Sequence, residues 1–260
     1  MGKNINYGQP VNWAHPLNRG LLAWWLVLPQ WRGGKRFRDL CNRYHGTLTD
    51  MDPSTDWVSS RGRPGGFGAL QTDNSMQFVD VGDVDVLEFT DEIFTWSAWF
   101  NQVAGDDGYL MSKNEGSSGW GWYFNNGSIT VYLNGSADLT VSSVYTTAVW
   151  NHAIATCDGT TITMYINGKS VGSGPRDFDL QTNTGALHIG AALLALPFNG
   201  LIDGVRLSNR HYTASYAASL YLEELQGYPN LLNRFSMPYY VKAAAPQILR
   251  KYPSILLSMS

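Results

Sequence analysis

The chain has 260 residues, 44% apolar and only 15% charged, with Gly 27, Trp 10, Tyr 14 and a formal net charge of −3. That is enough apolar sequence for a sizeable core in one large β domain or two smaller ones, and the glycine and aromatic content suits a turn-rich all-β fold. Two cysteines, Cys41 and Cys157, with no C-x-x-C exclude a disulfide scaffold and read as buried thiols. Charge is unevenly spread: no acid follows Glu224, whereas Arg234, Lys242, Arg250 and Lys251 do, so the tail carries +4 and residues 1–224 carry −7. A mildly acidic body with a basic, apolar tail speaks for a docking segment and against a nucleic-acid binder.

In chain order, residues 1–20 are polar and free of acids, with Pro10 and Pro16, and residues 1–19 read as an N-terminal arm. Residues 20–28 read as the first strand. Their LLAWWLVL run is too short to span a bilayer and lacks the small residues of a signal-peptide cleavage site. Met1-Gly2 starts like a myristoylation signal, but Asn6 stands where Ser or Thr is needed. The expectation is therefore a chain without a secretory signal or membrane span, made in a cytoplasm. Residues 29–38 form a basic loop with Trp31, Arg32, Lys35, Arg36 and Arg38. The next stretches, 39–48, 50–57 and the glycine-rich 62–68, are turn-rich. Residues 70–81 alternate loosely, with Met76 and Phe78 as strand residues. Residues 93–100 (IFTWSAWF) are a stronger strand, with Phe94, Trp96 and Ala98 on one face and Thr95, Ser97 and Trp99 on the other.

Short strands follow at 109–112, 121–124, 128–133 and 139–142, punctuated by Asn125-Asn126-Gly127 and Asn134-Gly135. The clearest stretch is 150–172 (WNHAIATCDGTTITMYINGKSVG). Asp158-Gly159 and Asn167-Gly168 separate period-two runs, as hairpin turns with φ > 0 require, and Ile162, Met164 and Ile166 share a face. Strands at 186–190 and 200–208 and one helix at 214–225, capped by Thr213 or Ser215, complete the set. More than ten short strands predict an all-β, two-sheet antiparallel sandwich over 20–226, with a short C-terminal helix and extended arms at 1–19 and 227–260.

The order of these segments resembles the laminin-G-like jelly-rolls of the concanavalin A-like lectin/glucanase superfamily. The resemblance rests on Trp96–Trp99, Gly119–Gly127, Trp150–Gly159, Tyr165–Gly168, Leu187–Gly190 and the FNGLID run of Phe198–Asp203. The 39–48 segment (DLCNRYHGTL) is similar to the family's early DxSGNGxHGTL element, with Cys41 and Arg43 in place of Ser and Gly. The match spans about residues 20–222. It implies that Asp203 could hold a structural Ca²⁺, with Asp73 and Asp80 in loops able to approach it and main-chain carbonyls completing six to eight oxygens. Gly204 stands where the family has Glu.

The acidic run Asp83, Asp85, Glu88 imitates the paired carboxylates of the superfamily's glucanases. Its first acid is short and its place is a variable loop, so catalysis is not expected. Gly168-Lys169-Ser170 ends a hairpin and lacks the first glycine of a phosphate loop, and no H-E-x-x-H or G-x-S-x-G occurs. Trp120 and Trp122 share a strand face. Core packing is the expected role of Trp122, while Trp120 and Tyr109 are candidates for a sugar-binding rim.

The tail holds Pro229, Pro238, Pro246 and Pro253 between apolar patches that include Tyr239, Tyr240, Ile248, Leu249, Ile255 and Leu256. Those prolines forbid a long helix, and the apolar content is too high for a free linker. An arm packed on another subunit and an arm wrapped on its own domain are both open. Two functions follow as expectations. One is a non-enzymatic virion subunit, a phage capsid decoration or surface protein joined to other subunits by its arms. The alternative is a lectin-like carbohydrate-binding module, Ca²⁺-dependent if Asp203 holds the ion, that adheres to surface glycans.

Overall fold

The computed structural model describes residues 11–59, 61–192 and 196–232. Within these residues, sixteen strands and one α-helix follow in chain order. They are β1 (Leu21–Trp25), β2 (Arg36–Phe37), β3 (Gly46–Thr49), β4 (Trp57–Val58), β5 (Ala69–Thr72), β6 (Phe78–Gly82), β7 (Ile93–Gln102) and β8 (Asp107–Glu115). Then come β9 (Ser118–Asn125), β10 (Ser128–Leu133), β11 (Ser136–Val141), β12 (Asn151–Asp158), β13 (Thr161–Ile166), β14 (Lys169–Pro175), β15 (Leu187–Ile189), β16 (Gly200–Ser208) and α1 (Ala214–Leu225).

They form two antiparallel sheets of eight strands. The first runs β14-β13-β12-β7-β16-β5-β4, with β1 also paired to β16. The second runs β11-β10-β9-β8-β15-β6-β3-β2. The hairpin turns take the expected backbone: Asn126, Asn134 and Asn167 and the glycine after each all have positive φ. The stretch read as one loose strand at 70–81 is two. Asp73 accepts the backbone N–H and the hydroxyl of Ser75, and this Asx turn separates β5 from β6. The two-residue β4, too short for periodicity to reveal, pairs Trp57 with Leu70.

The sandwich core lies between the sheets. Phe94, Trp96 and Ala98 of β7 point into it, as do Ile162, Met164 and Ile166 of β13, which is what their alternation requires. At its centre Phe94 stacks on Trp96 (centroids 4.2 Å apart), and Trp96 stacks on Trp120 (4.4 Å).

The outer face of the first sheet is also buried. Trp24, Ile154 and Tyr165 meet Ala217 and Leu220 of α1 there, together with Val11, Leu17, Tyr228, Leu231 and Leu232. Val11 bridges Leu232, and the Asn12 N–H donates to the Leu231 carbonyl at 2.9 Å. The first residues of the C-terminal arm, 227–232, therefore pack on their own domain. Truncating the central ring, Trp96→Ala, removes both stacks and leaves a large void. Chemical denaturation should show a loss of about 3–5 kcal/mol.

Candidate functional site

The outer face of the second sheet is not covered by the helix, and its strands put aromatic rings there. In β9, Trp120, Trp122 and Phe124 are buried in the sandwich core, so Tyr123 must face outward. In β10 the same alternation buries Val131 and Leu133 and turns Tyr132 out. In β8 a register irregularity between Tyr109 and Met111 sends Leu110 and Met111 inward and leaves Tyr109 outside. The three half-buried tyrosines touch: centroids are 5.1 Å apart for Tyr109–Tyr123, 5.8 Å for Tyr109–Tyr132 and 6.0 Å for Tyr123–Tyr132.

Gly121, opposite Tyr132, is the floor of this cluster. A Cβ there would lie 2.5 Å from Tyr109 Cε1, so only glycine lets that ring lie against the sheet. Asp107, paired with the exposed Asn125, closes one side, and its carboxylate accepts the Tyr123 hydroxyl. Burial pushes the Tyr109 phenol up to about 12, and burial together with Asp107 raises that of Tyr123. Both stay protonated donors across the physiological range. The arrangement is an amphipathic platform: ring faces for apolar C–H surface, with hydroxyls and a carboxylate at the margin.

Of the two rim candidates, Tyr109 lies on this platform and Trp120 does not. Trp120 is 1% exposed, stacked on Trp96, and its indole N–H donates to the Leu87 carbonyl at 2.7 Å. It is a core residue, because the alternation that buries Trp122 buries Trp120 with it. Tyr123 and Tyr132 were missed. Placing both tryptophans inside would have revealed Tyr123 by parity alone.

Asp203 is fully buried at the outer face of the first sheet, and its neighbours are donors. The Val27 N–H reaches Oδ1 at 2.8 Å, and Arg63 pairs with Oδ2. Asp73 is exposed on its turn, bonded to Ser75, and Asp80 accepts the Gly82 N–H. The calcium expectation for Asp203 and Asp73 is corrected on this point: a guanidinium and a peptide N–H are the opposite polarity from an oxygen cage, and the donor set does not fit the ion.

Around Arg63 the fold instead builds a buried charge network. The guanidinium also bonds the Tyr228 hydroxyl and lies 3.7 Å from Glu224 of α1. Glu224 accepts the Trp99 indole N–H at 2.7 Å and lies 3.5 Å from His152 and 3.7 Å from Arg206. Gly204, with φ +60°, makes room for the group: a Cβ there would meet Tyr228 Oη at 3.2 Å and Arg63 Nη2 at 3.4 Å. Burial raises Glu224 to about 7 and Asp203 to about 6, outweighing the arginines, and burial lowers His152.

Among the described residues, Asp83, Asp85 and Glu88 are the one group of three acids, histidines or cysteines whose ligand atoms all lie within 4.8 Å of one another. Lys113 sits among them, 2.7 Å from Asp83 and 3.6 Å from Glu88, and also donates to the Gly185 carbonyl. The basic loop cations Arg32, Lys35, Arg36 and Arg38 are exposed, with Arg38 over the Trp31 ring. The docking residues Tyr239, Tyr240, Ile248, Leu249, Ile255 and Leu256 lie outside the described residues. Among the described residues no helix is long and apolar enough to cross a membrane.

A two-sheet jelly-roll sandwich with an aromatic outer face is the architecture of a lectin-like domain. Residues 71–217, more than half of the chain, match the laminin-G-type family model of the concanavalin A-like lectin/glucanases superfamily, and the chain belongs to that superfamily. A comparison with curated proteins finds no match.

Among solved structures it is similar to Trypanosoma rangeli sialidase in complex with 2,3-difluorosialic acid, at 13% identity and TM-score 0.59. That alignment covers 79% of this chain and 33% of the sialidase, so the chain spans about a third of that enzyme's length. It is similar to the botulinum neurotoxin serotype D binding domain at 12% identity and TM-score 0.59, over 80% of this chain and 53% of that one. It is also similar to domain 4 of AbnA, an extracellular arabinanase of Geobacillus stearothermophilus, in complex with arabinotriose. There the identity is 17% and the TM-score 0.59, over 77% of this chain and 97% of the domain. These likenesses concern the fold.

Two outcomes follow for the buried network. Arg63→Ala leaves Asp203 and Glu224 without their shared cation, and urea denaturation should register a loss of about 3–5 kcal/mol. Glu224 has a folded pKa raised to about 7 from its ordinary 4.5. Its contribution to stability is therefore fully present below pH 4.5 and lost as pH rises through 7. Melting curves across that window should show the wild type losing stability with rising pH relative to Glu224→Gln, whose side chain does not titrate.

Proposed function

We propose that the chain is a non-catalytic carbohydrate-binding module, and that its ligand lies across Tyr109, Tyr123 and Tyr132 on the outer face of the second sheet. The tyrosine cluster is the observation that carries this reading. Sugar rings present C–H faces that pack on aromatic rings, and their hydroxyls take bonds from phenols and side-chain amides. A rigid sheet holds the three rings in place with little entropy left to lose on binding. The likeness to an arabinanase domain that binds arabinotriose, over nearly the whole of that domain, supports it. Of the clustered acids Asp83, Asp85 and Glu88, Asp83 and Glu88 pair with the Lys113 ammonium group, which supports a binding role over hydrolysis.

Titration calorimetry against a panel of neutral oligosaccharides tests this. Tyr109→Ala and Tyr132→Ala should each weaken binding by about three- to tenfold, on the scale of 0.5–1.5 kcal/mol per aromatic contact. Gly121→Ala should do the same with all three tyrosines intact, because its methyl lifts the Tyr109 ring. If every variant binds as tightly as the wild type while remaining folded by circular dichroism, the platform is not the binding site.

A further inference from the structure

The charge around the tyrosine platform narrows what it can bind, and this step rests on the carbohydrate reading above. Residues 106–141, which supply β8 to β11, contain the acids Asp106, Asp107, Glu115 and Asp138 and a single cation, Lys113. Lys113 is fully buried and held by Asp83 and the Gly185 carbonyl, so it offers nothing to a ligand on the outer face. Asp107 lies at the platform itself, bonded to Tyr123. Asp106 stands beside it, where it accepts amide N–H groups from Asn74 at 3.1 Å and Asn199 at 2.7 Å. The exposed cations Arg32, Lys35, Arg36 and Arg38 lie on β2 and on either side of it, at the far edge of the same sheet, and the other exposed cations among the described residues, Arg19, Arg43, Arg61, Lys169 and Arg210, lie outside β8 to β11. Four strand-to-strand steps separate β2 from β8.

We infer that the platform selects uncharged oligosaccharide and rejects sialylated or uronate-bearing sugars, with Asp107 as the residue that sets the rejection. A sugar carboxylate laid over the rings would face the Asp107 carboxylate, with no free cation on β8 to β11 to offset it, and like charges brought together at a partly desolvated contact are strongly unfavourable. A neutral sugar meets the same carboxylate as a hydrogen-bond acceptor for its hydroxyls, a charge-assisted bond. Asp107 thus favours one class and opposes the other with the same atoms. Selection here is by repulsion as much as by attraction. The sialidase likeness concerns the fold and does not extend to the sugar this face would take.

Three trisaccharides decide the matter by calorimetry at low and high salt: arabinotriose, 3′-sialyllactose and trigalacturonate. The wild type should bind arabinotriose and hold the two acidic sugars at least about tenfold more weakly, with the gap narrowing as salt screens the repulsion. Asp107→Asn keeps the shape and can still accept the Tyr123 hydroxyl. It should bind arabinotriose more weakly than the wild type, having lost the charge-assisted bond, and bind the acidic sugars more tightly than the wild type does. Acidic trisaccharides that bind the wild type as well as arabinotriose overturn the inference while leaving the carbohydrate reading intact. A selectivity unchanged in Asp107→Asn overturns the role given to that residue. Binding of none of the three, with the fold intact, overturns the carbohydrate reading and this inference with it.

Discussion

The burial of Arg63 between two carboxylates is the constraint on which the rest of the molecule turns. Strand β7 is buried on both faces: Trp96 looks into the sandwich and Trp99 looks out under α1. A sheet face covered this way must satisfy whatever polar groups it carries, since water cannot. Here the groups are Asp203 and Arg206 on β16 and His152 on β12. Arg63 and Glu224 are brought in from a loop and from the helix to meet them. The pairing is not a large source of net stability, because desolvating four charges offsets most of their attraction. The ion pairs and the Tyr228 bond tie α1 and the segment through Tyr228 to the sheet at fixed points.

That cover determines where a ligand can go. With the outer face of the first sheet occupied by the helix, by residues 227–232 and by the segment from Val11 to Leu17, the second sheet has, among the described residues, the remaining broad β surface. Strands β9 and β10 alternate so that the same residues fix both sides. The tryptophans that build the core at 120 and 122 force a tyrosine out at 123. The valine and leucine that close the core at 131 and 133 force one out at 132. The platform is therefore a by-product of core packing made useful by Gly121, whose missing side chain gives Tyr109 a place to lie.

The architecture was legible in the sequence because its signals are local. Asn-Gly and Asp-Gly pairs flank β10, β12, β13 and β16, and period two alone marks β7, each within a residue or two of its ends. The helix at Ala214–Leu225 follows from its composition. The site was only half legible, and the reason is distance along the chain. Tyr109 could be singled out, but its partners at 123 and 132 become neighbours only through the pairing of β8 with β9 and β9 with β10. Arg63 gave no signal at all: it sits in a glycine-rich loop whose composition says surface, and it is buried because residues 140 and 161 positions away supply its anions. The calcium expectation failed for the same reason. An aspartate in a strand is equally suited to a metal or to an arginine, and sequence cannot say which arrives.

The same distance argument explains why charge is informative where individual motifs are not. A net charge of −3 describes a nearly neutral molecule, yet the cations at 32–38 and the acids at 106–141 lie on opposite parts of one sheet. Over separations of two or more strand spacings such fields are screened at physiological salt, so each region acts on what touches it and not on the other. On the described tyrosine platform, Asp107 is the charged group bonded to one of the rings. On the proposed reading, aromatic area would set how strongly a sugar is held, and the sign of one side chain would set which sugars can approach. These two properties come from different residues and can change independently, which is how a fold shared with a sialidase and an arabinanase domain can serve different sugars on one scaffold.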